Sequence, residues 1–156
     1  MAIVGFNFTK MLVEKKGSLQ GKININNNIA LTNAKEMDVS LGGKDTKGML
    51  IQFEYSCIYE PNLGKILLEG DIITMESPET IKSSIELWQK KKTVGKGVLD
   101  QVMPYLLNKS SIQAIILSKD ASLPSPVPLP KINTTAATGG VSASSGTPSS
   151  AKQAKK

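Results

Sequence analysis

The chain has 156 residues, the length of one domain, and its 40% hydrophobic and 21% charged residues are enough to build a folded core. All 19 basic residues are lysine, so the sequence excludes histidine-activated nucleophiles, histidine metal sites and arginine clamps on phosphate. The single cysteine, Cys57, forms neither an internal disulfide nor a cysteine-built zinc site, and we therefore expect a protein without enzyme activity, metal or cofactor.

The first half of the chain predicts four β-strands. Apolar and polar residues alternate strictly over residues 49–60, which is typical of a strand with one buried face. A turn and a return strand over residues 65–75 complete a β-hairpin. Two strands precede it, over residues 6–14 and 21–31, and the first needs a β-bulge to keep its apolar residues on one face. A loop is expected at residues 42–45.

Helical signals follow the strands. A Ser-Pro-Glu sequence at residues 77–79 predicts the start of a helix that runs to residue 92. Because proline is unfavourable inside a helix, Pro104 predicts the start of a second helix over residues 104–119. Its apolar side is expected to consist of Leu107, Ile112, Ile115 and Ile116. The predicted fold class is α+β: a four-stranded antiparallel sheet with both helices packed on one face.

The C-terminal part changes character. Proline occupies every second position over residues 123–130, which predicts an extended segment of the polyproline II type. Residues 133–156 consist largely of serine, alanine, threonine, glycine and lysine, so they are predicted to form a disordered tail after a domain that spans residues 1–132.

Neither a leader nor a membrane span is predicted. The N-terminal residues lack a basic region followed by a long apolar run, which a signal peptide requires. The apolar stretches also fall short of the roughly 20 residues that a membrane helix needs. We therefore expect a cytosolic protein that does not insert into membranes.

Two groups of side chains are candidates for binding. Phe53, Tyr55 and Tyr59 share one face of their strand, where aromatic rings either stack on bases or pack into the core, and core packing is favoured. A basic cluster is the alternative site, since lysines that neutralise phosphates drive binding to nucleic acid. It consists of Lys90, Lys91, Lys92 and Lys96.

Four short motifs resemble the SecB-like family of export chaperones. Phe6-Asn7-Phe8-Thr9-Lys10 is similar to the first strand of that family, and Leu68-Glu69-Gly70-Asp71-Ile72 to its glycine-bearing fourth strand. Met103-Pro104-Tyr105 resembles the start of the family's long helix, and Leu123-Pro124 with Pro126-Val127 the proline-rich segment after it. Small archaeal proteins of this kind that end in a Leu-Pro-x-Pro-x-Pro-Leu-Pro-Lys run are similar too. This sequence departs from the family pattern in its additional helix over residues 78–92, in the tail that stands in place of a final helix, and in its basic net charge.

The resemblance implies a holdase that keeps unfolded or nascent polypeptide in apolar grooves, with a possible link to protein export. The client contacts it implies are Phe53, Tyr55, Tyr59, Trp88, Leu123, Val127 and Leu129. It also implies a homo-oligomer, a dimer or a dimer of dimers. Two other functions stay open: a nucleic-acid- or ribosome-associated protein that uses the basic cluster, and a docking protein whose proline run is bound by a partner.

Self-association is also predicted from the strands themselves. Two helices cover only one face of a four-stranded sheet, and Leu50 and Ile58 place apolar groups on the other face. The first strand is expected at an edge of the sheet, and unpaired edges favour pairing with another chain. A symmetric dimer or tetramer would cover both surfaces.

Overall fold

The structure is a computed structural model that describes residues 2–128. Strands β1 (Ala2–Lys15), β2 (Asn24–Leu41), β3 (Lys44–Glu60) and β4 (Gly64–Met75) are followed by helices α1 (Pro78–Lys91) and α2 (Lys96–Asp120). The predicted tail over residues 133–156 lies outside the described residues. Neither helix within residues 2–128 has the length and apolar character that crossing a bilayer requires.

The four strands form one antiparallel sheet in the order β1-β4-β3-β2. The β3–β4 hairpin lies at its centre because both strands carry a continuous row of apolar residues on one face. The buried members of these rows are Met49, Ile51, Phe53, Tyr55, Cys57, Tyr59, Ile66, Leu68 and Ile72. The predicted fold class, an antiparallel sheet with helices on one face, is confirmed.

Strand β1 contains the bulge that its sequence requires. The register with β4 shifts between Phe8 and Lys10, so Met11 and Val13 lie opposite buried residues of β4, as Phe6 does. Without that shift, the apolar residues of the second half of β1 would face away from the helices. A further register shift follows Ile3.

Strand β2 is ten residues longer at its C-terminal end than predicted. It continues to Leu41 and turns directly into β3 through Gly42 and Gly43, whose φ values of 61° and 79° suit a tight hairpin turn. A register shift between Leu31 and Asn33 interrupts the alternation of apolar residues, and the charged residues beyond it lie on an exposed sheet edge. These two features hid the strand in the sequence.

Helix α1 agrees with its prediction at both ends. The side chain of Ser77 accepts a hydrogen bond from the backbone N–H of Thr80, and Pro78 occupies the first turn. Lys92 caps the C-terminus with a left-handed backbone, φ 55°, and its N–H bonds to the carbonyl of Trp88.

Helix α2 begins at Lys96, so the prediction that it starts at Pro104 is wrong. Pro104 lies inside the helix on the exposed side, where the missing N–H leaves a carbonyl that water can reach.

The side of α2 that was predicted to face the sheet is also wrong. The residues that face the sheet recur every fourth position and are Val98, Val102, Leu106, Ser110, Ala114 and Ser118. Small side chains in the second half let the helix approach the sheet closely.

The core between sheet and helices divides into two clusters. The buried residues of the helix-covered cluster are Ala34, Met49, Ile51, Phe53, Ile72, Ile81, Trp88, Val94, Val98, Val102 and Leu106. Those of the tyrosine cluster are Tyr55, Cys57, Tyr59, Leu63, Ile66, Leu68, Ala114 and Leu123. Both helices cover the first cluster. The C-terminal half of α2 and the segment that follows it cover the second.

Candidate functional site

The residues predicted to contact clients divide between these two clusters. Phe53, Tyr55 and Tyr59 face the helices and are at most 1% exposed, and Trp88 and Leu123 are 7% exposed. The structure brings Tyr55, Tyr59 and Leu123 together in the tyrosine cluster, whereas Phe53 and Trp88 belong to the helix-covered cluster. Val127 is half-buried, and Leu129 lies outside the described residues.

The segment after α2 is held at its start by the end of the helix. Ser122 adopts a left-handed backbone with φ 53°, and its N–H bonds to the carbonyl of Lys119 at 3.2 Å. The N–H of Leu123 bonds to the carbonyl of Ser118 at 2.8 Å. These two hydrogen bonds form a Schellman motif, which here directs the side chain of Leu123 into the tyrosine cluster.

Residues 124–128, which we call the strap, continue across the tyrosine cluster without forming helix or strand. The hydroxyl of Tyr59 donates a hydrogen bond to the carbonyl of Pro124 at 2.7 Å. The side-chain amide of Asn27, on β2, donates to the carbonyl of Pro126 at 2.7 Å. The hydroxyl of Tyr55 donates to the side-chain oxygen of Asn27 at 3.1 Å, which orients the amide nitrogen toward the strap.

Burial controls the ionisation of this surface. Loss of solvent raises the pKa of Tyr55 to about 12, with a smaller contribution from Cys57. Burial also raises the pKa of Tyr59, so both hydroxyls remain protonated donors at neutral pH. Burial likewise raises the pKa of the Cys57 thiol, which keeps it in the unreactive protonated form. The site therefore presents neutral hydrogen-bond donors on an apolar floor.

The outer α2 surface is the set of exposed apolar side chains of α2: Leu107 and, on the other side of the helix, Ile112 and Ile116. Its members are 42%, 51% and 48% exposed. Ile112 and Ile116 are one helical turn apart and therefore adjacent. Sequence reasoning assigned these residues to the buried side. The four-residue spacing of the side chains that are in fact buried, from Val98 onward, is the signal that separates the two sides.

The basic cluster lies where α1 ends and α2 begins. Lys90, Lys91, Lys92 and Lys96 are all exposed, and none forms an ion pair within residues 2–128. The ammonium of Lys92 lies 5.9 Å from the centre of the Trp88 ring, a distance that allows a cation–π contact. The cluster is therefore available to an anionic partner, on the side of the molecule where the helix-covered cluster lies.

Comparisons with known proteins give a likeness in structure. No protein-family model matches the chain, and no curated protein matches it. Among solved structures, the chain is similar to a SecB-like chaperone from Mycobacterium tuberculosis in complex with a ChAD peptide from the HigA1 antitoxin. The TM-score is 0.49 at 7% identity, and the likeness covers 84% of this chain and 88% of that chain.

Proposed function

We propose that the protein is a non-catalytic, holdase-type chaperone that binds unfolded or nascent polypeptide in the cytosol. The observation that carries the proposal is the outer α2 surface, because α2 presents apolar side chains to solvent as well as to the core. The motif-level resemblance of the sequence to SecB-like export chaperones agrees with it, and clients destined for export fit that resemblance.

The size of the outer α2 surface sets a limit on its affinity. Burying a fully exposed isoleucine or leucine contributes about 1.5–3 kcal/mol, and these three side chains are about half exposed. Even together they would supply only about 3 kcal/mol, less than millimolar binding requires, and Leu107 projects from the other side of the helix than Ile112 and Ile116. Micromolar client binding therefore needs further contacts, and the tyrosine cluster beneath the strap is a second apolar surface, on the sheet side of α2.

The test is protection of a reduced or heated client protein from aggregation. We expect the wild-type protein to slow aggregation, and the triple variant L107Q/I112Q/I116Q to lose most of that protection. Leu41→Gln is the matched control, because Leu41 is equally exposed, at 48%, but lies at the end of β2. A wild-type protein that gives no protection, or a triple variant that protects fully, would contradict the proposal.

We also propose that the protein is a homo-oligomer, a dimer or a dimer of dimers. Support comes from β1, which is an edge strand and carries no charged residue from Ala2 to Thr9. The sheet face opposite the helices, with Leu50 and Ile58, is uncovered by any other part of residues 2–128. Light scattering coupled to size exclusion tests the proposal at micromolar concentration, and a mass of 16.7 kDa would contradict it.

A second candidate function is binding to RNA or to the ribosome through the basic cluster. What favours it is the cluster's exposure and lack of ion pairs within the described residues. Its signature is a steep loss of affinity with salt, which replacing the four lysines with glutamine would flatten. RNA binding that survives moderate salt in the wild type and disappears in that variant would favour it over the chaperone.

A further inference from the structure

We infer that the surface formed by Tyr55, Tyr59 and Asn27 is a groove for proline-containing extended polypeptide, which the chain's own strap occupies and for which a client segment of the same chemistry competes. The inference rests on the proposed function, because it assigns a substrate class and a form of regulation to the polypeptide-binding site. The strap is therefore a ligand that the groove can release.

The hydrogen bonds between the groove and the strap reach main-chain atoms of the strap. Tyr59 and Asn27 each donate a hydrogen bond to a carbonyl, of Pro124 and Pro126 respectively. A carbonyl is present in every residue, so these contacts do not depend on the side chains of the strap. Two donors that bond to carbonyls two residues apart suit any extended segment that presents its carbonyls to one side.

Proline is the residue that fits such a groove best. The strap has proline at positions 124, 126 and 128, so it offers few N–H groups, and the groove places donors rather than acceptors opposite it. Proline also restricts the free segment before it binds, which lowers the entropy lost on binding, and tyrosine-lined grooves bind such segments in other recognition modules. The matching ligand is an extended, proline-containing segment without charged residues.

The strap is attached more weakly than the residues that precede it. Leu123 is fixed by the Schellman motif and by its buried side chain. Beyond it, the hydrogen bonds to the rest of the protein come from two side chains, Tyr59 and Asn27, Pro126 is the one buried residue of the strap, and Pro128 is exposed. The hydroxyl of Ser125 bonds within the strap, to the carbonyl of Val127 at 2.6 Å. Release beyond Leu123 therefore leaves both helices and the sheet in place.

The groove is also accessible from one side. Asn27 lies on β2, an edge strand, and is itself exposed. A competing segment therefore meets the groove along the edge of the sheet and displaces the strap without any movement of α2. Once the strap has left, Tyr55 and Tyr59 gain exposed surface next to the C-terminal half of α2.

The experiment measures binding of a labelled peptide to the full-length protein by fluorescence anisotropy. The probe is the octapeptide of residues 121–128, Ala-Ser-Leu-Pro-Ser-Pro-Val-Pro. In the double variant P124G/P126G the strap loses its conformational restriction and the buried ring of Pro126, and we expect the probe to bind about tenfold more tightly than to the wild type. Adding Tyr59→Phe in this background removes one donor and should weaken binding about fivefold.

Two controls separate the groove from general apolar binding. Tyr105→Phe changes a tyrosine that contacts Phe6 in the other cluster and should leave the affinity unchanged. A probe with glycine in place of its prolines should bind more weakly than the original. If P124G/P126G does not fold, the wild type still provides the test: an excess of probe that carries a nitroxide spin label should broaden the nuclear magnetic resonance signal of the Asn27 side-chain amide.

The outcomes distinguish this inference from the proposed function. Equal affinity of wild type and folded P124G/P126G for the probe, no effect of Tyr59→Phe, or an Asn27 amide signal that the spin-labelled probe does not broaden would each overturn the groove, even if the protein protects clients from aggregation. The expected affinity changes in a protein that gives no such protection would support the groove and refute the chaperone.

Discussion

The helix-covered cluster and the tyrosine cluster share one sheet but are closed by different structures. Two regular helices close the first, which packs the Phe53 ring at 5.7 Å from Phe6 and 6.2 Å from Phe8. Half of one helix and the strap close the second, where hydroxyl and amide donors bond to proline carbonyls. The first is held by packing over a large apolar area. The second depends in part on a few hydrogen bonds that water can replace.

The comparison teaches where this protein can open. Apolar burial contributes about 25 cal/mol per Å², so removing a whole helix from the sheet is costly. A typical hydrogen bond contributes only about 1 kcal/mol net. Opening of the tyrosine cluster at the strap is therefore less costly than removing a helix from the sheet.

The largest expected effect breaks the helix-covered cluster. Phe53→Ala should lower the free energy of unfolding by about 4 kcal/mol, because it leaves a cavity among buried aromatic and aliphatic side chains. Gly70 contributes to this tight packing, since a methyl group there would lie 2.9 Å from the Phe53 ring. Urea denaturation measures the effect. A loss below about 2 kcal/mol would mean that the helix-covered cluster closes around the cavity as readily as the tyrosine cluster does.

Leu123→Ala provides the matched change in the tyrosine cluster. Leu123 is also buried, but it is the last anchored residue before the strap, and the strap can settle into the space that the leucine leaves. We expect a loss of about 2 kcal/mol, at the lower end for leucine truncation. The same urea titration compares the two variants, and a loss equal to that of Phe53→Ala would contradict the difference between the clusters.

The features that could be predicted from the sequence are those that depend on residues close together in the chain. The β3–β4 hairpin and the Ser77 cap were predictable because alternation and capping are local patterns. The start of α2 was not, because the cost of Pro104 inside a helix depends on whether the freed carbonyl faces water. The strap was predicted as an extended segment, but its bonds to Tyr59 and Asn27 depend on residues far away in the sequence, and no local pattern signals them. Homo-oligomerisation stays a prediction.

Alkaline pH should destabilise the tyrosine cluster selectively. The folded protein holds the pKa of Tyr55 at about 12, above the value of about 10 expected in the unfolded chain. The stabilisation from this shift is complete below pH 10 and is lost as pH rises toward 12, because the unfolded state then releases its proton first. Each such group costs about 1.4 kcal/mol per pH unit in that range.

Unfolding by urea at several pH values between 8 and 12 measures this loss. Tyr55→Phe removes one of the two raised groups, so its stability should fall less steeply above pH 10 than that of the wild type. Equal slopes for wild type and Tyr55→Phe would show that the tyrosine cluster opens to solvent before unfolding.

The smallest expected effect has the opposite sign and lies at the boundary of the two clusters. Ser110 faces the sheet from α2, between Leu106 of one cluster and Ala114 of the other, and its hydroxyl has no hydrogen-bond partner within residues 2–128. A buried hydroxyl without a partner is destabilising, and alanine is also the better helix former. Ser110→Ala should therefore raise the free energy of unfolding by about 0.5–1 kcal/mol.

Ser118→Ala is the matched control, because that hydroxyl donates to the carbonyl of Ile115 at 2.7 Å, and its loss should not stabilise the protein. A destabilised Ser110→Ala variant would indicate that the hydroxyl is satisfied after all, which places a polar contact at the point where the two clusters meet.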